Sequence, residues 1–202
     1  MSGSSAEGGY LRPIGVPPPE ADALADIIQG LFQGITGLDP SLVRPRWQAK
    51  PPTQPAPDVN WCSVGIVQQT GVDFPYIEYL LGEEEITTLQ RQEGIEVLAS
   101  FYGPLAGAYA AQARDGLYWD QNIAQLKQYN IHLSGADPIM AVPDLVNTQF
   151  IAHYDMRVRL SRQVNRQYDI KSILHVVGTI HTDSSGLADT VLEVPFAVHP
   201  EE

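Results

Sequence analysis

Leu89-Gln-Arg-Gln-Glu-Gly-Ile-Glu-Val-Leu-Ala-Ser-Phe-Tyr-Gly-Pro-Leu-Ala-Gly-Ala-Tyr-Ala-Ala-Gln-Ala-Arg-Asp-Gly116 decides how the chain folds, because a two-residue hydrophobic period changes within it to a helical one. Ile95, Val97, Ala99 and Phe101 alternate with Glu96, Leu98, Ser100 and Tyr102, which predicts a strand with one apolar and one mixed face. Gly103-Pro104 ends the ladder, since proline has no amide hydrogen and its fixed φ suits the first turn of a helix. The helix predicted to follow, up to about Arg114, carries Ala106, Ala110 and Ala113 at four- and three-residue spacing. Such a stripe of small side chains can approach either a sheet or a neighbouring subunit.

Beyond this stretch, Ile123, Leu126 and Tyr129 extend an amphipathic pattern over Leu117 to Tyr129, with Gly116 as a break or kink between two helices. Ile131 to Met140 reads as short and turn-rich, and Pro143 to Asn147 as a single turn. The clearest alternation follows: Ala152, Tyr154, Met156, Val158 and Leu160 on one face, His153, Asp155, Arg157, Arg159 and Ser161 on the other. A one-residue slip would bury two arginines, so the register of this strand is strongly specified. Leu174 to His181 and Leu187 to Val198 read as further strands around the turn Ser184-Ser185-Gly186, with Pro195 confining the last to an edge or bulge.

Toward the amino terminus, Trp61 to Gln68 and Phe74 to Leu81 are predicted strands, and Glu83-Glu84-Glu85 a solvated turn before the central strand. Pro51 to Pro57 is too rich in proline for a helix or a central strand, so Arg44-Pro-Arg-Trp47 leads into an extended loop. Leu24, Ile27, Ile28, Leu31 and Ile35 define an amphipathic helix over Glu20 to Ile35, with Gly37 as its stop and Asp39-Pro40 opening a short turn. The expected organisation is a mobile Pro/Gly-rich arm over residues 1–19, one domain over 20–198 and a tail over 199–202. Strands with helices inserted in one block point to an α+β fold, a mostly antiparallel sheet flanked by helices.

At 202 residues a single domain buries roughly 70% of its unfolded surface and needs neither disulfides nor metal to fold. The lone Cys62, between Trp61 and Ser63-Val64, reads as a buried thiol in a reducing compartment rather than a nucleophile. No apolar run approaches the roughly 20 residues of a membrane span, and the first residues lack the basic and apolar regions of a signal peptide. The product is therefore expected to stay in the cytoplasm where it is made. A net charge of −12 argues against wrapping or reading nucleic acid, which takes clustered Lys and Arg, but not against repelling a duplex that passes by.

Two His-x-Asp pairs, His153/Asp155 and His181/Asp183, each place both side chains on one strand face, and four such groups could bind zinc or iron if the strands met. Solvated side chains on a sheet face are the commoner outcome. Glu93 and Glu96 fall on opposite faces and cannot act as a paired acid and base; pairing with arginines of a neighbouring strand, at roughly 0.2–1 kcal/mol each, is the simpler role. Dinucleotide, phosphate-loop, nucleophile-elbow and Cys-x-x-Cys motifs are missing, so no catalytic, cofactor or metal residue is assigned. Arg157, Arg159, Arg162 and Arg166 place four of the twelve basic residues within ten positions. Arg162 breaks the parity of the first two, which predicts that the strand ends, bulges or leaves its sheet there. Such a strand suits an acidic partner, or equally a sheet edge guarded by charge.

Leu42-Val-Arg-Pro-Arg-Trp47, Trp61-Cys62, Leu89 to Glu93 running into Val97 to Pro104, Arg114 to Leu117, Val142 to Asn147 and Arg157 to Arg166 together resemble the phage neck or tail-terminator family of contractile-tailed bacteriophages, from about Leu24 to Thr182. The resemblance implies a structural virion protein without catalytic residues, six copies of which form a ring at the head-proximal end of the tail. Its implied partners are other copies of itself, the tail tube protein, the head-completion or connector protein and, as a further candidate, the tail sheath, with DNA only as passing cargo and no membrane. Six copies would carry a formal charge of about −72, six times −12, around that channel. Alternatives are a head-side connector or stopper and a metal-dependent enzyme using the two His-x-Asp pairs. From the residues themselves, Arg44, Arg46, Trp47, Arg157, Arg159, Arg162 and Arg166 are the candidate assembly contacts, together with the alanine-rich helix.

Overall fold

The computed structural model describes residues 4–79, 86–146, 149–170, 176–177 and 193–194. In chain order its elements are α1 (Ala21–Thr36), β1 (Val43–Pro45), β2 (Trp61–Gly71), β3 (Tyr76–Tyr79), β4 (Ile86–Tyr102), α2 (Ala106–Gly116) and α3 (Asp120–Lys127). β5 (Ile131–Ala136), β6 (Met140–Ala141), β7 (Asp144–Val146), β8 (Gln149–Ile151), β9 (His153–Asp169), β10 (Val176–Val177) and β11 (Glu193–Val194) follow. A seven-stranded sheet runs in the order β1-β2-β4-β9-β5, with β3 beside β4 and β6 beside β9. Its pairings are antiparallel except for β1 against β2. This is the α+β architecture expected from the sequence.

β4 and β9 form the spine, paired without a register shift from Ile86↔Asp169 to Tyr102↔His153. The alternation read in each strand fixes which side is which. Ile95, Val97, Ala99 and Phe101 of β4 and Met156, Val158, Leu160 and Val164 of β9 point to one side, where they are buried with Cys62, Val64 and Val43. The helices cover that side. α1 lays Leu24, Ile28, Leu31, Phe32 and Ile35 into the core, where Phe32 and Phe101 meet with ring centroids 6.4 Å apart. Each fully buried large side chain of this kind contributes about 1.5–3 kcal/mol relative to exposure.

Glycine permits a close approach between helices: a Cβ on Gly116 of α2 would lie 2.3 Å from Ile35 Cγ2 of α1. Gln112 reaches across the same contact, its Nε2 donating to the Ile35 carbonyl at 2.9 Å, and so satisfies a carbonyl at the end of α1. Gly37 closes α1 in the left-handed conformation at φ 67°, its amide donating to the Gln33 carbonyl, as the sequence predicts. Ala106, Ala110 and Ala113 are almost wholly buried on α2, which packs on β4, β9 and α1. Of the two uses open to a small-residue stripe, the fold takes the approach to its own sheet, which removes that stripe as a subunit contact.

Several predicted boundaries change. Ile131–Ala136 and Met140–Ala141 are strands on β9 rather than turns, and Asp144–Val146 pairs with β8 as a hairpin rather than forming a lone turn. Arg44-Pro45 belongs to β1, a parallel edge where the missing amide of Pro45 costs no ladder bond and Arg46 N donates to Val64 O at 2.8 Å. β9 does not end or bulge against β4 at Arg162 but continues to Asp169. The proposed turn at Glu83-Glu84-Glu85 lies outside the described residues. So does the Ser184-Ser185-Gly186 turn, while the two last predicted strands are described only at the antiparallel pair β10 and β11.

The amino-terminal arm runs against the far end of β9. Ile14 bridges Gln167, its amide donating to the Gln167 carbonyl at 2.7 Å, and the carbonyl of Pro19 accepts from Arg162 Nη1 at 2.6 Å.

Candidate assembly surface

The side of the sheet away from the helices is organised around residues that the strand register sets directly opposite one another. Trp61 of β2 pairs with Tyr102 of β4, and Tyr102 with His153 of β9. Side chains so placed on one face lie within stacking distance. The Trp61 and Tyr102 rings are 4.2 Å apart at 11°, and the Tyr102 and His153 rings 4.3 Å apart at 21°. Arg44 of β1 extends the row, its guanidinium 5.6 Å from the Trp61 ring centroid. Each aromatic pair contributes about 0.5–1.5 kcal/mol beyond its buried area, so the row stiffens this end of the sheet.

The next row is polar. Arg46 donates to Ser100 Oγ, whose hydroxyl donates to Asp155, and His153 Nε2 lies 2.9 Å from Asp155 Oδ1. His153 Nδ1 sits 3.1 Å from Asp144 Oδ2, an ion-pair distance without hydrogen-bond alignment. The Arg46 stem crosses the backbone at Gly65, where a Cβ would come within 2.6 Å of Arg46 Cβ. Burial raises the pKa of the Tyr102 phenol, with Arg46 opposing, and it pushes the Cys62 thiol up far more strongly, which keeps Cys62 protonated and inert. Both nitrogens of His153 thus face carboxylates, and the second His-x-Asp pair, His181/Asp183, lies outside the described residues. Among the described residues there is no group of three or more His, Cys, Asp or Glu placed to hold a metal.

Beside these rows opens a cleft of about 550 Å³, walled by Arg44, Arg46, Trp47, Pro51, Trp61 and Tyr102 among others. Trp47 stands at its rim, 75% exposed and at a positive φ of 62°, with the Arg46 guanidinium 6.0 Å from its ring centroid. Neutral acceptors hold both cleft arginines: Arg44 donates to the carbonyls of Ser41 and Thr53, and Arg46 to Ser100. Neither forms an ion pair with a carboxylate among the described residues. With Asp144 the one acidic residue among the described residues of its wall, the cleft carries two guanidinium groups against one carboxylate in a chain of net charge −12.

The arginines of β9 behave differently, and parity explains why. Arg157 and Arg159 lie on the outer face, half exposed, paired with Glu96 at 2.6 Å and Asp137 at 2.9 Å. Arg162, on the opposite parity, turns to the helix side beyond the covering helices and is only 2% exposed. It donates to Glu93 Oε2 at 2.8 Å, Glu20 Oε2 at 2.7 Å and the Pro19 carbonyl, while Arg166 reaches Glu20 Oε1 at 2.9 Å. The predicted arginine cluster is therefore split: Arg162 and Arg166 clamp the arm and the start of α1, Arg157 and Arg159 remain on the surface, and Arg44, Arg46 and Trp47 share the cleft. Sequence reasoning missed Trp61, Tyr102 and Asp144 as parts of this surface. The alternation placed Tyr102 on the mixed face, but only the β2/β4/β9 register brings the rings together.

The fold is α+β, with helices on one face of the sheet and, on the other, an aromatic and polar surface beside an open cleft. The chain belongs to the phage neck terminator protein family, whose model it matches over residues 22–184. It is a structural protein of the phage neck and a component of the virion. Comparison with curated proteins found no match.

Proposed function

We propose that the protein is the tail terminator of the neck, forming a ring of six copies that caps the head-proximal end of the tail tube. The ring stops tube elongation, offers a surface to the head-completion or connector protein and leaves a channel for DNA. The observation that carries this reading is the family match across residues 22–184, which spans α1 but for its first residue, α2, α3 and the whole seven-stranded sheet. Its physical logic is that a terminator must match the subunit-addition surface of a tube on one side and present a different surface on the other. A head-to-tail ring does this through heterologous interfaces, and the acidity of the subunits keeps DNA from sticking as it passes.

Electron microscopy of the purified chain, alone and mixed with tail tubes, tests the proposal. Sixfold rings, or a density closing one end of each tube, are the expected result. A strict monomer that leaves tubes growing would overturn it, and twelvefold particles that attach to isolated heads would replace it with a head-side connector.

A further inference from the structure

We propose that the cleft at Arg44, Arg46 and Trp47 receives the acidic segment Glu83-Glu84-Glu85 of the adjacent copy, and that this is the contact that sets head-to-tail order in the ring. The inference rests on the ring reading above and names the surfaces that build it.

Charge complementarity picks out the two halves. Among the described residues the two guanidinium groups of the cleft have no carboxylate partner and Arg46 Nε has no acceptor. Asp144, on the cleft wall, faces His153, and Asp155 is separated from Arg46 by the Ser100 hydroxyl. Arginine held in place by neutral acceptors and stacked on tryptophan is ordered in advance for a carboxylate, so little side-chain entropy is lost on binding. Glu83-Glu84-Glu85 is the densest run of acid in the sequence. The chain before it adds apolar surface for Trp47 to pack against, since Phe74, just ahead of β3, is 90% and Tyr76, its first residue, 63% exposed.

Covalent geometry excludes the same contact within one chain. Tyr102, at one end of the 17-residue β4, lines the cleft, and Ile86, at the other, follows the acidic segment directly. At about 3.3 Å per residue the two ends are about 50 Å apart. Glu83 is three residues from Ile86 in the chain, and three residues, even fully extended, reach only about 10 Å. The acidic segment of one copy can fill the cleft only of another, and a contact between opposite ends of two copies is heterologous, as a ring requires.

The test is a charge exchange in the full chain, with assembly read by sedimentation velocity and folding by circular dichroism and thermal melting. Arg44→Glu, chosen because among the described residues its side chain meets the exposed Ser41 and Thr53 carbonyls and the Trp61 ring, and Glu84→Lys should each raise the concentration at which rings form at least about tenfold. The chain carrying both substitutions should regain wild-type assembly, an outcome that misfolding cannot mimic. Trp47→Ala serves as an uncharged second probe and should weaken assembly in the same direction. Wild-type rings indifferent to the two charge reversals, or no recovery in the folded double variant, would overturn the contact and leave the ring. A wild-type chain that is monomeric with and without tail tubes would overturn both.

Discussion

Arg162 and Arg159 lie three residues apart on one strand, yet replacing each should have very different consequences. Arg162 is 2% exposed and donates to two carboxylates and a backbone carbonyl, with Glu93 itself 11% exposed. Arg162→Ala removes the cation and leaves Glu93 charged and nearly buried, with the neutral Gln69 amide still donating to it at 2.9 Å but no cation beside it, a defect that costs about 3–5 kcal/mol in comparable settings. At about 2–4 °C per kcal/mol for a chain of this size, the melting temperature should fall by about 6–20 °C. Arg159 is 57% exposed and pairs with Asp137 at the surface, so Arg159→Ala should cost about 0–1 kcal/mol. Urea unfolding of the full chain with both variants gives the comparison. Adding Glu93→Gln to Arg162→Ala should restore part of the loss, because it discharges the orphaned carboxylate. Limited proteolysis should cut the arm near Pro19 sooner in Arg162→Ala, which has lost the donor to that carbonyl. Equal losses for the Arg159 and Arg162 variants, or no recovery on adding Glu93→Gln, would refute the assignment of Arg162 to an interior clamp.

Glycine positions give a second contrast. Gly116→Ala forces a methyl against the β-branched Ile35 and should destabilise by about 1–3 kcal/mol. Gly30→Ala and Gly34→Ala, in the open interior of α1 with nothing within 4 Å, should instead stabilise by about 0.5–1 kcal/mol in the same melts. Cys62, fully buried with its thiol pKa pushed up, should resist a thiol reagent at pH 8 in the native protein and react stoichiometrically in denaturant; ready native reaction would contradict its burial.

The sequence by itself determined the elements whose pattern is local. The alternation through Ile95 to Phe101 and Ala152 to Ser161 settled two strands and their apolar faces, Gly103-Pro104 settled where strand gives way to helix, and Gly37 settled where α1 stops. It also carried the family, because the order of short motifs over most of the chain survives without any knowledge of contacts. Only the tertiary structure decided what depends on pairing between distant residues. β1 is three residues long and β5 ends in Ser134-Gly135-Ala136, so neither shows a clear period, and they are strands because β2 and β9 offer them unpaired backbone groups. The parity break at Arg162 was legible, but its cause, two glutamates brought within 3 Å from β4 and from the start of α1, depends on tertiary packing. The row from Arg44 through Trp61 and Tyr102 to His153 draws its members from four strands and exists only in one register. Periodicity records which way each side chain points from its own backbone, whereas the partner it meets is set by how the strands align across the sheet.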